Sequence, residues 1–239
     1  MEKHEQLITS AKAGLTTIRN TLSHSPSQWK KHTDTVRTCV NNIETSNIML
    51  GSNRLEERLW LITEIQGFAY FDADSGSIAD LAAWCEREWN RVLSTDGTNI
   101  DALRGLGQAW LSKAQYWLAK IHQEEGSASG TEEDDRAEEK RRHTANYVEA
   151  RAVLIPAVEF FGRAVQNAHI RQCLTGELLA LRAEACMSLG NVSTLRNAQQ
   201  QFKDAVTALK SAEIIPGYTL PSHLSQYLRE NEYILRIKN

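Results

Sequence analysis

The feature that most constrains this chain is the spacing of its apolar residues, which recur every three or four positions along most of its length. Such spacing places apolar side chains on one face of an α-helix. The sequence has no sustained two-residue alternation bounded by tight turns, the pattern that predicts strands, and it contains only four prolines. The pattern therefore predicts an all-α fold.

Turn-forming segments divide this pattern into successive helices. Examples are the segments SHSPS before Trp29, DADSGS after Phe71 and STDGTN before Ile100. The predicted helices lie at about 7–22, 36–48, 53–71, 78–92, 102–121, 147–168, 176–190, 195–213 and 222–237. Pro156 is predicted to kink the sixth helix or to begin a new one.

Two glycines stand inside the predicted helix 102–121, ALRGLGQAWLSKAQYWLAKI. A glycine in a helix costs roughly 1 kcal/mol relative to alanine. We interpret Gly107, and with it Gly105, as positions where a neighbouring helix approaches closely, with the contacts of Trp110 and Trp117 offsetting that cost. The alternative is an ordinary helical bundle in which the glycines are incidental.

Small and large residues also recur in the pattern of a helical repeat. The first-helix pattern is formed by Leu103, Leu106, Gly107 and Trp110, and the second-helix pattern by Ala157, Phe161 and Ala164. The chain therefore resembles the tetratricopeptide family over roughly residues 53–215. The resemblance implies stacked antiparallel helix pairs forming a superhelix, with divergent N-terminal helices and a C-terminal capping helix.

The chain departs from the family pattern in several places. Gln66 stands where a leucine is expected before Gly67, and the last unit has two possible registers. These registers use either Ala198, Phe202 and Ala205 or Ala205, Leu209 and Ala212. We expect residues 1–50 to form an N-terminal helical pair that packs on the array, and residues 51–239 to form the repeat region.

A charged segment at residues 123–143, QEEGSASGTEEDDRAEEKRRH, has no aliphatic residue larger than alanine. It cannot bury enough apolar surface to offset its ordering entropy, so we interpret it as a flexible insertion with helical ends. It is either a solvated loop or a segment with a role in binding. In the second case its acidic part docks on a basic partner, or phosphorylation of Ser129 and Thr131 alters docking.

The charge and hydropathy of the chain indicate where it acts. The formal net charge is −3 and the pI is about 6.2, so there is no general attraction to nucleic acid or to an anionic membrane. Neither a secretory signal nor a run of about 18 apolar residues is present. We expect an intracellular protein, cytoplasmic or nuclear, without membrane insertion, and we consider nucleic acid an unlikely partner.

No group of residues in the sequence predicts catalysis. Seven histidines and four cysteines lie apart from one another, so we expect buried cysteines, no metal site, no cofactor and no enzyme activity. Glu86 and Glu88 are interpreted as part of a solvated face. The tryptophans are expected in the core, because they lie in helical stripes without interleaved clusters of lysine or arginine. Trp29 is the exception, which we expect at the surface.

The family resemblance implies a concave groove lined by the first helix of each pair. The residues predicted to line it and to bind a partner are Asp101, Arg104, Gln108, Leu111, Ser112, Glu177 and Glu184. We expect a non-catalytic scaffold, adaptor or assembly subunit that binds a peptide, a helix or a folded subunit of another protein, within a heteromeric complex. The alternative is a nucleic-acid-binding or enzyme-associated helical domain.

Overall fold

The structure, a computed structural model, describes residues 2–51, 53–127 and 140–236. Within these ranges the chain forms helices and no β-strand, so the prediction of an all-α fold is confirmed. None of the helices in these ranges is both long enough and apolar enough to cross a membrane. The chain divides into two compact units. The N-terminal unit comprises Met1–Asp72 with Ser77–Thr95, and the C-terminal unit comprises Ala73–Gly76 with Asp96–Asn239.

The N-terminal unit contains two helix pairs. Its helices are α1 (Glu2–His24), α2 (Thr33–Ser46), α3 (Leu55–Ala69) and α4 (Ala79–Thr95). α1 packs against α2, α3 packs against α4, and α1 also contacts α3. The 3₁₀-helix Pro26–His32 connects α1 to α2.

Ion pairs show that equivalent helices of the two pairs run in the same direction. Lys12 Nζ lies 2.7 Å from Glu57 Oε1, and Arg19 Nη1 lies 2.6 Å from Glu64 Oε1. Both pairs join residues 45 positions apart, so α1 and α3 are parallel and in register. α2 and α4 are joined in the same way, by Arg37 with Asp80 and by Glu44 with Arg87.

The C-terminal unit contains five α-helices in its described part. They are α5 (Ile100–Ser127), α6 (Ala145–Ile170), α7 (Gly176–Val192), α8 (Leu195–Glu213) and α9 (Ser222–Asn231). Polar side chains cap two of them, and one of these, Asn99, belongs to the predicted turn segment STDGTN. The amide N–H of Ala102 donates to Asn99 Oδ1 at 2.9 Å, and that of Leu178 donates to Thr175 Oγ1 at 3.3 Å. α6 runs through Pro156, so this proline does not begin a new helix.

Consecutive helices of this unit pair in antiparallel fashion. Asn146 at the start of α6 donates to Glu124 near the end of α5, at 2.6 Å. Phe161, in the second half of α6, lies against Gly107 in the first half of α5. Arg151 of α6 donates to the carbonyl of Val192 at the end of α7, at 2.6 Å. α7 and α8 are joined by two residues and pack together, and α9 packs against α8.

Aromatic rings lie directly on helical glycines in this unit. A β-carbon at Gly107 would lie 2.9 Å from the ring of Phe161, and one at Gly190 would lie 2.6 Å from the ring of Phe202. Gly107 therefore does allow a neighbouring helix to approach closely. The ring that it receives belongs to Phe161, however, whereas Trp110 and Trp117 are half-buried.

The predicted insertion 123–143 is helical at its start, because α5 continues to Ser127. Residues 128–139, which include Ser129 and Thr131, lie outside the described residues. The compact units divide the chain at Thr95, whereas the sequence placed a boundary after residue 50. Residues 51–72 and 77–95 belong to the same compact unit as the first two helices.

Gly107→Ala and Gly162→Ala form a matched pair that tests the packing of α5 against α6. An added methyl group at Gly107 meets the fully buried ring of Phe161, so we expect the unfolding free energy to fall by about 1–2 kcal/mol. Apart from its chain neighbours and the backbone of its own helix, no atom lies within 4 Å of an added β-carbon at Gly162, so that variant should gain about 0.5–1 kcal/mol. Urea unfolding followed by circular dichroism measures both, and equal stability of the two variants would contradict the packing described.

Glu57→Gln tests the pairing of α1 with α3 through its pH dependence. Burial opposes ionisation of Glu57, but hydrogen bonds from Lys12 and Arg54 outweigh it, and the pKa of Glu57 is lowered. The ionised group therefore stabilises the fold above its ordinary pKa of about 4.3, and this contribution disappears as the pH falls through the folded-state pKa.

We expect Glu57→Gln to lose about 1 kcal/mol of unfolding free energy at neutral pH. The difference from the wild type should shrink as the pH is lowered from neutral toward roughly pH 3, because protonation of Glu57 progressively removes the charge that the variant lacks. Urea titrations at the two pH values measure the difference. Glu56→Gln, at the exposed neighbouring position, is the control and should show no such narrowing.

Candidate functional site

The predicted groove residues of α5 share one face of the helix. Asp101, Arg104 and Gln108 follow one another at intervals of three and four residues, and Asp101 and Gln108 are exposed. Arg104 and Ser112 are half-buried. Leu111 is only 8% exposed, so its side chain offers little surface to a partner.

Arg104 connects this face to the first turn of α7. Its Nη2 lies 3.3 Å from Asp101 Oδ1, and its Nη1 lies 4.0 Å from Glu177 Oε1. The structure thus brings together three of the predicted residues, which come from two different helix pairs. Because all three side chains are at least one-third exposed, these ion pairs add little to stability.

The remaining predicted residue, Glu184, lies beside the chain's own C-terminal segment. His223 Nε2 is 3.5 Å from Glu184 Oε1. About two turns before Glu184, the ring of Tyr218 packs on Gly176, where a β-carbon would lie 2.1 Å from the ring. Burial raises the pKa of Tyr218, and the charges of Glu177 and Glu184 raise it further. The α7 part of the predicted surface is therefore partly covered by residues 218–223.

Lysines lie on the aromatic rings of α5, which the sequence analysis did not expect. Lys113 Nζ is 4.3 Å from the ring centroid of Trp110. Lys120 Nζ is 4.3 Å from the centroid of Tyr116 and 4.9 Å from that of Trp117. We name these five residues the aromatic–lysine stripe. Each of the two tryptophans of α5 is followed by a lysine three positions later. This spacing in the sequence is the signal for the contact between lysine and ring.

Glu88 is buried, contrary to the expectation of a solvated face. It is 1% exposed, and its carboxylate accepts hydrogen bonds from Arg87 at 2.9 Å and Arg91 at 2.6 Å. Glu86 is half-buried and accepts a hydrogen bond from the hydroxyl of Tyr70 at 3.4 Å. Two guanidinium groups compensate the buried charge of Glu88, as a charge in this position requires. The group is therefore an ion-pair network within α4.

The departure from the family pattern at Gln66 has a structural explanation. Trp89 Nε1 donates a 2.7 Å hydrogen bond to Gln66 Oε1, and both side chains are buried. A leucine at this position would leave the indole N–H of Trp89 without this partner, at a cost of about 1–3 kcal/mol. Gln66 therefore stabilises the pairing of α3 with α4.

The cysteines differ in exposure. Cys39, Cys85 and Cys186 are buried, whereas Cys173 is exposed, so the expectation that all four are buried is wrong for Cys173. Burial raises the pKa of the Cys186 thiol to about 11. In the described part of the chain, no three or more histidine, cysteine, aspartate or glutamate side chains are placed to hold a metal ion.

Comparisons with family models, with curated proteins and with solved structures found no match for this chain.

Thiol labelling tests the exposure assigned to the cysteines. We expect Cys173 to react with 5,5′-dithiobis(2-nitrobenzoate) in the native protein. The three buried thiols should react at least about a hundredfold more slowly, because their labelling requires local opening. In Cys173→Ser the fast phase should be absent, and a fast phase equivalent to more than one thiol per chain in the wild type would contradict the burial described.

Proposed function

We propose that this protein is a non-catalytic, tetratricopeptide-like interaction scaffold, an adaptor or assembly subunit that binds another protein. Three features of the C-terminal unit support the repeat-like part of the proposal. Successive helices pair in antiparallel fashion, the first helices α5 and α7 contact each other, and glycines receive aromatic rings from the partner helix. That these helix pairs stack into a superhelix is part of what we propose.

The observation that carries the proposal is the surface formed by Asp101, Arg104 and Glu177. Neighbouring helix pairs contribute these residues to one place, and their ion pairs are too exposed to be needed for folding. Their mixed charges are complementary to a polar protein surface rather than to a phosphate backbone. Gln108 extends the surface along α5 with an uncharged donor and acceptor.

A second candidate function is binding of single-stranded nucleic acid, and the aromatic–lysine stripe is the observation that favours it. Aromatic rings that alternate with cations are typical of sequence-tolerant binding to single strands. The net charge of −3 weakens this candidate, because such binding depends on neutralising phosphates.

We place the protein inside the cell, in the cytoplasm or the nucleus. The free thiols support this proposal, because an exposed thiol such as Cys173 persists in a reducing compartment.

Affinity capture with surface variants tests the proposed function. The variant Asp101→Arg, Gln108→Arg, Glu177→Arg reverses or adds charge at exposed positions, so the fold should remain while recovery of the partner falls roughly tenfold. Arg196→Glu changes an exposed charge on α8 and serves as the control. Absence of a stable protein partner, or unchanged recovery with the triple variant, would contradict the proposal. Nuclease-sensitive capture that is lost in Lys113→Glu, Lys120→Glu would favour the second candidate.

A further inference from the structure

An open groove of about 370 Å³ lies between α1 and α3 in the N-terminal unit. Its floor is formed by the buried side chains of Leu15, Ile18, Leu22, Val36 and Phe68. Gly67 and Phe71, of which Phe71 is 38% exposed, complete the apolar part of its lining. The polar residues at the groove are Arg19, Ser23, Thr63 and Glu64.

Gly67 leaves an open position in the wall of this groove. Apart from its chain neighbours and the backbone of its own helix, no atom lies within 4 Å of a β-carbon added there. By contrast, Gly107 and Gly190 are each covered by a phenylalanine ring of the next helix. The N-terminal unit therefore has an exposed helical glycine beside an apolar groove, without the ring that fills the corresponding space elsewhere in the chain.

Aromatic rings stand at one side of the groove. The ring centroid of Trp29 lies 6.3 Å from that of Phe68, with an interplanar angle of 74°, and 6.3 Å from that of Phe71, with an angle of 39°. Trp29, expected at the surface, is half-buried by these contacts. A further ring that enters the groove can extend this edge-to-face and tilted packing.

We propose that this groove binds one phenylalanine side chain of a partner protein. A cavity of about 150 Å³ is enough to hold benzene, so a groove of 370 Å³ accommodates the ring and part of the peptide that carries it. Within this chain, two helical glycines already accept phenylalanine rings. The inference rests on the proposed function, because it names the side chain that the bound protein presents.

The charges at the groove favour an uncharged occupant. Arg19 and Glu64 neutralise each other across a 2.6 Å ion pair, so neither a cationic nor an anionic side chain finds an unmatched opposite charge there. The segment 128–139 has no apolar side chain larger than alanine, so it cannot supply the ring. An aromatic residue from a separate protein is the occupant that fits both observations.

Titration of the methyl-labelled full-length chain with N-acetylphenylalanine methylamide tests the inference without requiring a partner. We expect saturable shifts of the methyl resonances of Leu15, Ile18, Leu22 and Val36, with millimolar affinity. N-acetylalanine methylamide should bind at least about tenfold more weakly, because it has no ring to bury. The inference is overturned if no saturable shift occurs or if the two compounds bind equally well.

Two leucine variants locate the binding. In Gly67→Leu the new leucine side chain occupies part of the groove, so binding of the phenylalanine compound should weaken at least about tenfold. Gly162→Leu, at the other helical glycine with open space around its β-carbon, should leave binding unchanged. Melting curves establish that both variants fold. Equal binding by Gly67→Leu and wild type would overturn the inference.

Two other occupants are separate outcomes. Tighter binding of benzene or a fatty acid than of the phenylalanine compound would make the groove a small-molecule site, and a dimer that dissociates in Gly67→Leu would make the occupant a second copy. Either result overturns the inference. The titration and the capture experiment can fail independently. If no partner protein is captured, the proposed function fails, but the titration still measures whether the groove binds a phenylalanine ring.

Discussion

The architecture of the C-terminal unit depends on how closely a side chain of one helix can approach the backbone of its partner. At Gly107 the ring of Phe161 occupies the space that any other residue's side chain would fill. This contact fixes the position of α6 along α5, because a shift by one residue would place a side chain of α5 under the ring of Phe161. With that register set, Asp101 and Gln108 remain on the exposed face of α5.

Polar contacts provide a second constraint, since they determine which helices lie together. Within the N-terminal unit, the buried indole N–H of Trp89 donates to the side-chain carbonyl of Gln66 inside the α3–α4 interface. Another pairing of these helices would leave both polar groups buried without this hydrogen bond. The partly exposed ion pairs between α1 and α3 contribute less energy, but they require the two helices to run parallel with one fixed offset along the sequence. Burial supplies the stability of the unit, and polar pairing selects its arrangement.

Local features of the structure could be predicted from the sequence, because helical periodicity and turn residues act within a few positions. The helices, the cap at Asn99 and the close approach at Gly107 follow from such features. The burial of Glu88 and Leu111 also has a signal in the sequence. Glu88 continues the core spacing of Leu81, Cys85 and Val92, and Leu111 continues that of Gly107 and Ala114. The charge of Glu88 and the groove position that the family resemblance implies for Leu111 instead predict exposed side chains. What periodicity could not supply is the pairing of distant residues, such as Arg104 with Glu177.

The open groove at Gly67 likewise depends on residues that are distant from one another in the sequence. At both Gly67 and Gly162, the space that a β-carbon would occupy is open to its surroundings. Of these two helical glycines, only Gly67 lies beside the aromatic rings of Trp29, Phe68 and Phe71. The difference arises from residues that are distant in sequence, so no motif around the glycine contains it. A side chain that enters such a groove gains contact on several sides, and buried aromatic anchors of this type contribute most of the affinity in many protein interfaces. A polar surface such as that of Asp101, Arg104 and Glu177 adds selectivity instead, because its exposed charges are largely screened.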